Sequence, residues 1–463
     1  MTTKSRPRGI DPLAADAPSR PRTRRAISPG IRLTIRGRSV KLRGLRRPPA
    51  GVLRWLAILG PGIIAGSAGN DAGGIATYSQ AGAQFGYQML WVIVLITVSL
   101  AVVQEMSARL GAATGRGLLD LIRERFGIGW SLFAVGIVLV ANGVLIISEF
   151  IGIGAAVTLL GINRDLVIPI AAVVLWYLVV RGSYGRVEKI FLLMALAFLA
   201  YPVAAILAHP QWGAVARGAV VPSFHANPTY IMLFVGLLGT TITPYQQIFQ
   251  QSAVVDKGVA RRHYGEERID TYVGMFLSDL ISAFMIIATA ATLHVAGKTN
   301  INTAADAAQA LGPVAGRFAV LLFAVGLLGA SLLAGAVLPL ATAFSVSEVF
   351  GFPKGVDLDF RRGKFFVSLF TVFVVVGALL AMIPGLPVIQ ALVWIQVLNG
   401  VLLPVILVFI LLLVNDRRLM GDLRNTRLYN ILGWGTVALV STAIAIMIGT
   451  QLLGAVGIHV LGA

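Results

Sequence analysis

Long apolar runs separated by short polar connections make up most of this 463-residue chain. Runs of about 20 residues, the length that crosses a bilayer as a helix, recur from residue 53 almost to the C-terminus. Their length and hydropathy predict about eleven transmembrane helices in an all-α, polytopic membrane protein. The predicted spans are 53–84, 88–110, 128–160, 164–181, 187–208, 230–252, 270–296, 314–348, 365–384, 387–414 and 428–456.

Basic residues are concentrated in alternate connections between these spans. Clusters of Lys and Arg follow the second, fourth, sixth, eighth and tenth spans, whereas the other connections carry one such residue or none. Basic loops stay in the cytosol. The pattern therefore predicts an inner (plasma) membrane protein with a cytoplasmic N-terminus and, because the number of spans is odd, an extracytoplasmic C-terminus.

Composition separates a basic leader from the membrane domain. The chain is 57% hydrophobic and 13% charged, and soluble domains carry about 25% charged residues. The net charge of +18 could suggest nucleic-acid binding, but residues 1–54 alone hold 15 Lys/Arg against Asp11 and Asp16. We interpret 1–52 as a disordered cytosolic tail that contacts anionic lipid, and 53–463 as one transmembrane domain. We expect no nucleic-acid partner, and the absence of cysteine excludes thiolate metal sites.

Two predicted spans are interrupted in the middle of the membrane by polar and helix-breaking residues. The interruptions lie at 66–74 in the first span and 239–247 in the sixth. Matching breaks five spans apart are typical of an inverted-repeat transporter, because an odd offset reverses the orientation of the second half. We place the first repeat at about 53–208 and the second at about 230–414. The last span, 428–456, is then an extra helix.

Asp71 lies inside the first break. A carboxylate at this depth is costly and marks an ion or proton path by default. The alternative is that Asp71 only caps the half-helix that follows, because Asp is favoured at N-caps. We favour a metal role, since the glycine-rich backbone beside it supplies further oxygen ligands.

Several ordered sequence blocks resemble the Nramp family of divalent-metal transporters. The resemblance covers roughly residues 53–427 and implies a leucine-transporter-type fold of two inverted five-helix repeats with helices 1 and 6 broken. It also implies a carrier rather than an enzyme. The blocks are Gly60-Pro61-Gly62, 70–77, 80–87, 148–152, 396–399, Leu403-Pro404 and 415–421.

Departures from the family pattern point to the choice of ion. The family's Asp-Pro-Gly-Asn reads Asp-Ala-Gly-Gly at 71–74, so Gly74 replaces an amide ligand and widens the site. The family's Met-Pro-His reads Thr243-Pro244-Tyr245, so a hydroxyl replaces a soft thioether. Oxygen ligands suit Mg²⁺, which sheds its water reluctantly. The combination is similar to the Nramp-related magnesium transporters.

The resemblance implies a set of ligands drawn from three helices. Asp71 is the expected charged ligand or outer-sphere anchor, and Gln396 is expected to close over the ion. Asn70 supplies an amide oxygen or only holds the unwound loop. Gln246 and Gln247 contact waters around the ion or satisfy the backbone of the break. The complete candidate set is Ala68, Asn70, Asp71, Gly74, Thr240, Thr243, Tyr245 and Gln396.

Proton carriers of the family are only partly retained. Glu149 matches a family carboxylate tied to proton movement, but the family's acidic residue three positions earlier reads Ile146 and its histidine reads Tyr245. We therefore expect metal entry without proton coupling. Asp279, also in the membrane, lines a vestibule or makes a helix–helix hydrogen bond.

The expected function is uptake of Mg²⁺, and of Mn²⁺ alongside it, as a partly hydrated ion by alternating access. The alternatives are a proton-coupled Mn²⁺/Fe²⁺ transporter, a channel and, more remotely, a membrane-embedded metalloenzyme. The last lacks the clustered His/Glu motif that such chemistry needs. We expect no cofactor, the divalent ion as substrate, lipid contact and a monomer.

Overall fold

The computed structural model describes most of the membrane domain and two short pieces of the leader. The described residues are 32–35, 38–41, 66, 69–181, 200–225, 227–259, 261, 264–309, 319–353, 363–385 and 387–455. Contacts divide the chain into two units, Met1–Leu56 and Ala57–Ala463. In the first unit, β1 (Arg32–Ile35) pairs antiparallel with β2 (Arg38–Lys41), with Arg32 opposite Lys41. The remainder of 1–52 lies outside the described residues, so its interpretation as a tail stays a prediction.

Helices make up the described part of the first repeat. They are α1 (Ala72–Phe85), α2 (Leu90–Thr114), α3 (Leu118–Phe126), α4 (Ile128–Leu159), α5 (Arg164–Arg181) and α6 (Ala200–Leu207), with a 3-10 turn, Gly86–Met89, joining α1 to α2. The turn is possible because Gly86 adopts a φ of 58°, where a side chain would be strained.

The second repeat follows the same plan. A short helix, α7 (Trp212–Val220), precedes it, and α8 (Pro228–Thr241) and α9 (Pro244–Asp256) form its interrupted first span. Then come α10 (Tyr264–Thr289), a π-helical segment (Ala290–His294), α11 (Ala304–Ala308), α12 (Ala319–Phe350), α13 (Lys364–Ala381) and α14 (Val388–Val414). Beyond it lie α15 (Arg417–Met420), a 3-10 turn (Gly421–Leu423) and the extra helix α16 (Arg427–Ala455).

Within the described ranges, seven helical segments are long and apolar enough to span a membrane. One of them, Ala72–Thr114, joins the second half of the first predicted span to the whole of the second span through the 3-10 turn. The sixth span is divided between α8 and α9, and each of these helices alone is too short to cross a membrane. The fourth span, α5, is not among the seven because it carries charged residues at both ends. Most of the fifth span, 187–208, lies outside the described residues. These differences account for seven segments against about eleven predicted spans.

Close packing brings the first break against α10 and α14, and α8 of the second break against α14. The start of α1 contacts α10, α14 and α4, and α8 packs along α14. Glycines allow α8 and α14 to approach each other closely. A side chain at Gly239 would collide with the Gln396 carbonyl, and one at Gly400 would lie 2.6 Å from Val235 O. Small residues at such contacts are the usual way in which membrane helices pack closely.

Candidate metal-ion site

The first break ends at Asp71, the N-cap of α1. Asp71 is in an extended conformation (φ −69°, ψ 179°), and its Oδ1 accepts a hydrogen bond of 2.5 Å from Gly74 N. Just before it, Gly69 N donates to Gly66 O at 3.1 Å, which closes a turn. The free N–H groups and the dipole of a helix N-terminus favour negative charge there. The local structure therefore holds an acid at this position, and capping is compatible with a second role.

Gln396 of α14 lies across the same carboxylate. Its Nε2 donates to Asp71 Oδ1 at 3.0 Å and to Oδ2 at 3.2 Å, and both residues are fully buried. The approach requires Gly73, because a Cβ there would collide with the Gln396 amide. Gln396 Oε1 has no hydrogen-bond partner within the described part of the chain. A flip of this amide about its Cγ–Cδ bond would offer an oxygen instead of a nitrogen to a cation.

The second break contributes hydroxyl groups. Ile242 interrupts the helix (φ −112°, ψ 70°), and α9 begins after Thr243 with Pro244 in its first turn. Thr240 Oγ1 is buried and has no hydrogen-bond partner among the residues described. The Thr243 hydroxyl caps no backbone N–H of α9 and instead lies near the Tyr245 phenol. This break therefore supplies oxygens that are not committed to holding the backbone.

Oxygens from both breaks converge on the space beside Gly74. A Cβ built on Gly74 would lie 2.8 Å from Thr240 Oγ1, 3.2 Å from Asp71 Oδ1 and 3.2 Å from Gly69 O. A hydroxyl, a carboxylate and a backbone carbonyl are the hard ligands that Mg²⁺ and Mn²⁺ accept. The absence of a side chain at residue 74 leaves this space open.

Asn70 braces the first break against α10. Its Nδ2 donates to Ser278 O at 3.2 Å and to Ser278 Oγ at 3.0 Å, and its Oδ1 accepts from Ser282 Oγ at 2.7 Å. Ser278 Oγ in turn donates to Gly66 O at 2.6 Å. Both ends of the amide are therefore occupied. Of the two roles considered for Asn70, this geometry favours holding the loop.

Glu149 of α4 places a second carboxylate at the N-terminus of α1. Its Oε2 accepts from Ala72 N at 3.3 Å, and its Oε1 accepts from Ser148 Oγ at 3.0 Å. Ile146, one turn earlier, is buried in the apolar core. Of the described ion pairs, none involves Asp71, Glu149 or Asp279. Buried acids without a basic partner require a cation or a proton for neutrality.

The remaining candidates take up different positions. Gln247 Oε1 accepts from Ser107 Oγ at 3.3 Å, and its Nε2 donates to Thr243 O at 3.5 Å, so it supports the backbone of the second break. The Gln246 amide packs against Gly69 of the first break. Tyr245 is fully buried close to both carboxylates. Ala68 lies outside the described residues.

A cavity of about 160 Å³ lies between the C-terminal half of α1 and the start of α14. Its lining includes Gln80 and Gln84 of α1 and Gln390 and Trp394 of α14. These are the same two helices that carry Asp71 and Gln396. The cavity is therefore bounded by the two helices that carry these site residues.

Sequence reasoning missed the supporting residues on α10 and α1. Ser278 and Ser282 hold Asn70, and the Tyr78 hydroxyl hydrogen-bonds to Thr241 Oγ1 at 2.8 Å. The spacing of the two serines by four residues on an apolar helix was a usable signal, because it places both on one face.

A buried, oxygen-lined site between two interrupted helices of an inverted repeat defines a membrane carrier. The profile of the natural resistance-associated macrophage protein-like (Nramp) family matches residues 62–450, most of the chain. The chain belongs to the Nramp family.

Curated relatives match over nearly their full length. The chain is 31% identical over 410 residues to the divalent metal cation transporter MntH of Klebsiella pneumoniae (strain 342), which covers 86% of this chain and 95% of that protein. It is 32% identical over 419 residues to MntH of Deinococcus radiodurans, covering 88% and 92%. These relatives are transporters, so the expectation that the chain is not an enzyme is confirmed.

Solved structures agree with the fold. A crystal structure of the Eremococcus coleocola manganese transporter with an aromatic bis-isothiourea compound has a TM-score of 0.69 at 22% identity, covering 88% of this chain and 90% of that one. Mhp1, a nucleobase-cation-symport-1 transporter, has a TM-score of 0.53 at 17% identity, covering 85% and 93%. The predicted all-α fold of the leucine-transporter type and the integral membrane location are confirmed.

Proposed function

We propose that this chain takes up divalent metal ions, with Mg²⁺ as the main substrate and Mn²⁺ carried alongside it. The relatives named divalent metal cation transporters support the class of substrate. Transport proceeds by alternating access, in which the half-helices move around a fixed site near the middle of the membrane. We place the protein in the inner membrane as a monomer in contact with lipid, with its N-terminus in the cytoplasm.

The convergence of oxygens on Gly74 is the observation that carries the choice of Mg²⁺. Oxygens of Thr240, Asp71 and Gly69 lie 2.8–3.2 Å from the point where a Cβ would sit. Direct Mg²⁺–oxygen bonds are about 2.0–2.1 Å long, and the ion usually keeps several waters. The space beside Gly74 therefore suits an ion that is bound partly by protein oxygens and partly by its own waters. The described ligand set contains no thioether or imidazole that would favour a softer transition metal.

Entry is driven by the ion gradient and the membrane potential rather than by protons. Ile146 and Tyr245 stand where the family has an acid and a histidine. Two charges moving through 100 mV gain about 4.6 kcal/mol, which is enough for uphill accumulation by about three orders of magnitude.

A proton-coupled Mn²⁺ or Fe²⁺ transporter is the second candidate. Glu149 favours it, because this acid hydrogen-bonds to Ala72 N beside Asp71 and could exchange a proton as the ion binds. The structurally similar Eremococcus coleocola protein is named a manganese transporter, which also agrees with Mn²⁺ as a substrate.

Proteoliposomes that contain an internal pH dye separate the candidates. Uptake of Mg²⁺, Mn²⁺ and Ca²⁺ is measured in parallel at a fixed, clamped membrane potential. We expect saturable Mg²⁺ and Mn²⁺ uptake without acidification beyond that of protein-free vesicles. Metal-dependent acidification above this leak would contradict uncoupled entry, and Mn²⁺ uptake that a large excess of Mg²⁺ does not inhibit would contradict the choice of ion.

A further inference from the structure

Asp279 is an unpaired acid in the middle of α10. It is 2% exposed, and neither of its carboxylate oxygens has a hydrogen-bond partner within the described ranges. A buried carboxylate that stays ionised needs donors or a cation around it. Asp279 has neither, and it takes no part in the metal site described above. An intramembrane acid of this kind indicates a function by default.

The hydroxyl hydrogens around Asp279 are used elsewhere. Thr97 of α2 lies beside the carboxyl group, but its hydroxyl donates to Ile93 O at 2.8 Å. On α10 itself, Ser278 Oγ donates to Gly66 O at 2.6 Å and Ser282 Oγ donates to Asn70 Oδ1 at 2.7 Å. The Thr97 oxygen therefore offers a lone pair rather than a hydrogen. A protonated carboxyl group needs such an acceptor, whereas an ionised one does not.

A proton fits this position better than a metal ion does. A divalent metal ion takes about six oxygen ligands at 2.0–2.6 Å. Both oxygens of Asp279 are shielded from solvent, and the serine hydroxyls on α10 already bind the first break. A proton needs a single acceptor, and Thr97 Oγ1 supplies it.

Asp279 is electrostatically linked to the metal site through Tyr78 of α1. The Tyr78 hydroxyl pairs with Thr241 Oγ1 at 2.8 Å, at the end of α8 next to Thr240. It lies close enough to feel the charge of both Asp279 and Asp71. A charge that appears on Asp279 is therefore felt at the ion, because charges on buried groups are screened less than those on exposed groups.

We infer that Asp279 is a proton-binding residue that adjusts the metal affinity of the site. With its proton bound, Asp279 is neutral and the site relies on Asp71 and Glu149. When it loses the proton, it adds negative charge near the ion. Acidification therefore weakens metal binding and alkalinisation strengthens it. The proton is exchanged without being carried along with the metal. The inference rests on the proposed function for the identity of the ion.

No described basic side chain is placed to neutralise Asp279 in place of a proton. On α2, Arg109 pairs with Glu105 at 3.1 Å, and both lie two or more turns towards the C-terminal end of α2 from Thr97. The Tyr201 phenol of α6 faces Gly326 on α12. His294 is 15 residues along, which corresponds to about 22 Å of helix. The groups on neighbouring elements are Asp71 and Tyr78 from α1, Glu105 and Arg109 from α2, Tyr201 from α6, Tyr87 from the 3-10 turn and His294.

The test is metal affinity as a function of pH for wild type and Asp279→Asn. Mn²⁺ is titrated into the purified protein between about pH 5.5 and 8.5, with free Mn²⁺ followed by electron paramagnetic resonance. We expect the wild-type affinity to rise roughly three- to tenfold with pH. Asp279→Asn should lose this Asp279-dependent rise and bind Mn²⁺ more weakly than wild type at high pH. An unchanged pH step in Asp279→Asn would overturn the inference.

Asp306→Asn is the matched control for loss of an acid. Although partial burial acts to raise the pKa of Asp306, hydrogen bonds from Thr303 and Asn302 bring it below the ordinary value. Asp306 is therefore ionised across the whole range, and its variant should keep the wild-type pH profile.

Infrared difference spectra give a second readout that does not depend on metal transport. Protonated carboxyl groups have a C=O stretch that ionised ones lack. Because Asp71 and Glu149 are buried acids too, the comparison is between complete sets of bands. We expect one band of wild type at neutral pH to be missing from Asp279→Asn, and an unchanged set of bands would overturn the proton site. If the band and the pH step are found but Mg²⁺ is not transported, the proposed function fails while the proton site stands.

Discussion

The two helix breaks differ in how firmly their side chains are held. In the first, Asn70 bonds to two serines of α10, and Asp71 accepts from Gly74 N and from Gln396. In the second, the Thr240 hydroxyl has no partner among the described residues, and the Thr243 hydroxyl caps no backbone group.

This difference suggests a division of labour between the breaks. A fixed acid sets where the charge of the ion is placed, and preorganised charges of this kind act on every cation of the same valence. Uncommitted hydroxyls decide which ion is preferred, because ligand type separates hard from soft metals. Substitutions in the first break should therefore affect all divalent ions alike. Substitutions in the second should change the ratio between ions.

Asp71→Asn should have the largest effect. Asparagine remains a good N-cap, so α1 is kept while the charge of the site is lost. We expect Mg²⁺ and Mn²⁺ uptake into proteoliposomes to fall by about 100-fold or more, because a divalent ion loses its charged ligand. Asp165→Asn is the control for loss of an acid, because Asp165 is exposed at the start of α5. Uptake of either ion at the wild-type rate in Asp71→Asn would contradict the central role of this acid.

Thr243→Met should sharpen the comparison by changing selectivity. The substitution replaces a hydroxyl of the second break with a thioether, which favours transition metals. We expect the ratio of Mn²⁺ to Mg²⁺ uptake, measured as initial rates, to rise by about tenfold.

Thr436→Met in α16 controls for the thioether itself, because Thr436 is also buried but lies on the extra helix. An equal loss of both ions in Thr243→Met would show that the second break has no special part in selectivity.

Gly74→Ala should narrow the space between the breaks. The methyl group would lie 2.8 Å from Thr240 Oγ1, so either the oxygens move apart or the ion loses room for water. We expect Mg²⁺ uptake to fall by about tenfold, and Mn²⁺ uptake to fall less because Mn²⁺ sheds water more readily.

Gly136→Ala in α4 is the matched control, because a Cβ there meets nothing within 4 Å. Unchanged Mg²⁺ uptake in Gly74→Ala would mean that the ion does not use this space.

Ser282→Ala should have the smallest effect. It removes one hydrogen bond to Asn70 and loosens the brace, which lowers the free energy of unfolding by about 1 kcal/mol. We expect a lower melting temperature and a few-fold slower uptake with an unchanged Mn²⁺ to Mg²⁺ ratio. Ser345→Ala, which loses only a bond to Ala341 O within α12, is the control. A change in the ratio would show that the first break also selects the ion.

The fold could be predicted because its determinants are local in the sequence. Apolar length set the spans, and the polar interruptions at 66–74 and 239–247 set the breaks. The first break ends at Asp71 and the second comprises Ile242 and Thr243, so helix extends into both polar stretches. The predicted bounds of the spans were less accurate than their order. The second half of the first predicted span and the whole of the second form one helical run through a 3-10 turn, since a glycine turn of this kind leaves the hydropathy pattern unbroken.

The contacts within the site could not be derived in the same way. The bond between Asn70 and Ser278 joins residues 208 positions apart, and that between Gln396 and Asp71 joins residues 325 apart. Periodicity reports which face of a helix is apolar, but it does not report the rotation and register of one helix against another. The resemblance supplied Gln396, whereas the serines of α10 needed the structure.

The most direct test of the account is competition between Mg²⁺ and Mn²⁺ for the purified protein. Bound Mn²⁺ is followed by electron paramagnetic resonance, and its water ligands are counted from the pulsed spectra in H₂¹⁷O. The account predicts one Mn²⁺ per chain that keeps several waters, is displaced by Mg²⁺ and is lost in Asp71→Asn. A fully dehydrated Mn²⁺, or one that Mg²⁺ cannot displace, would contradict it.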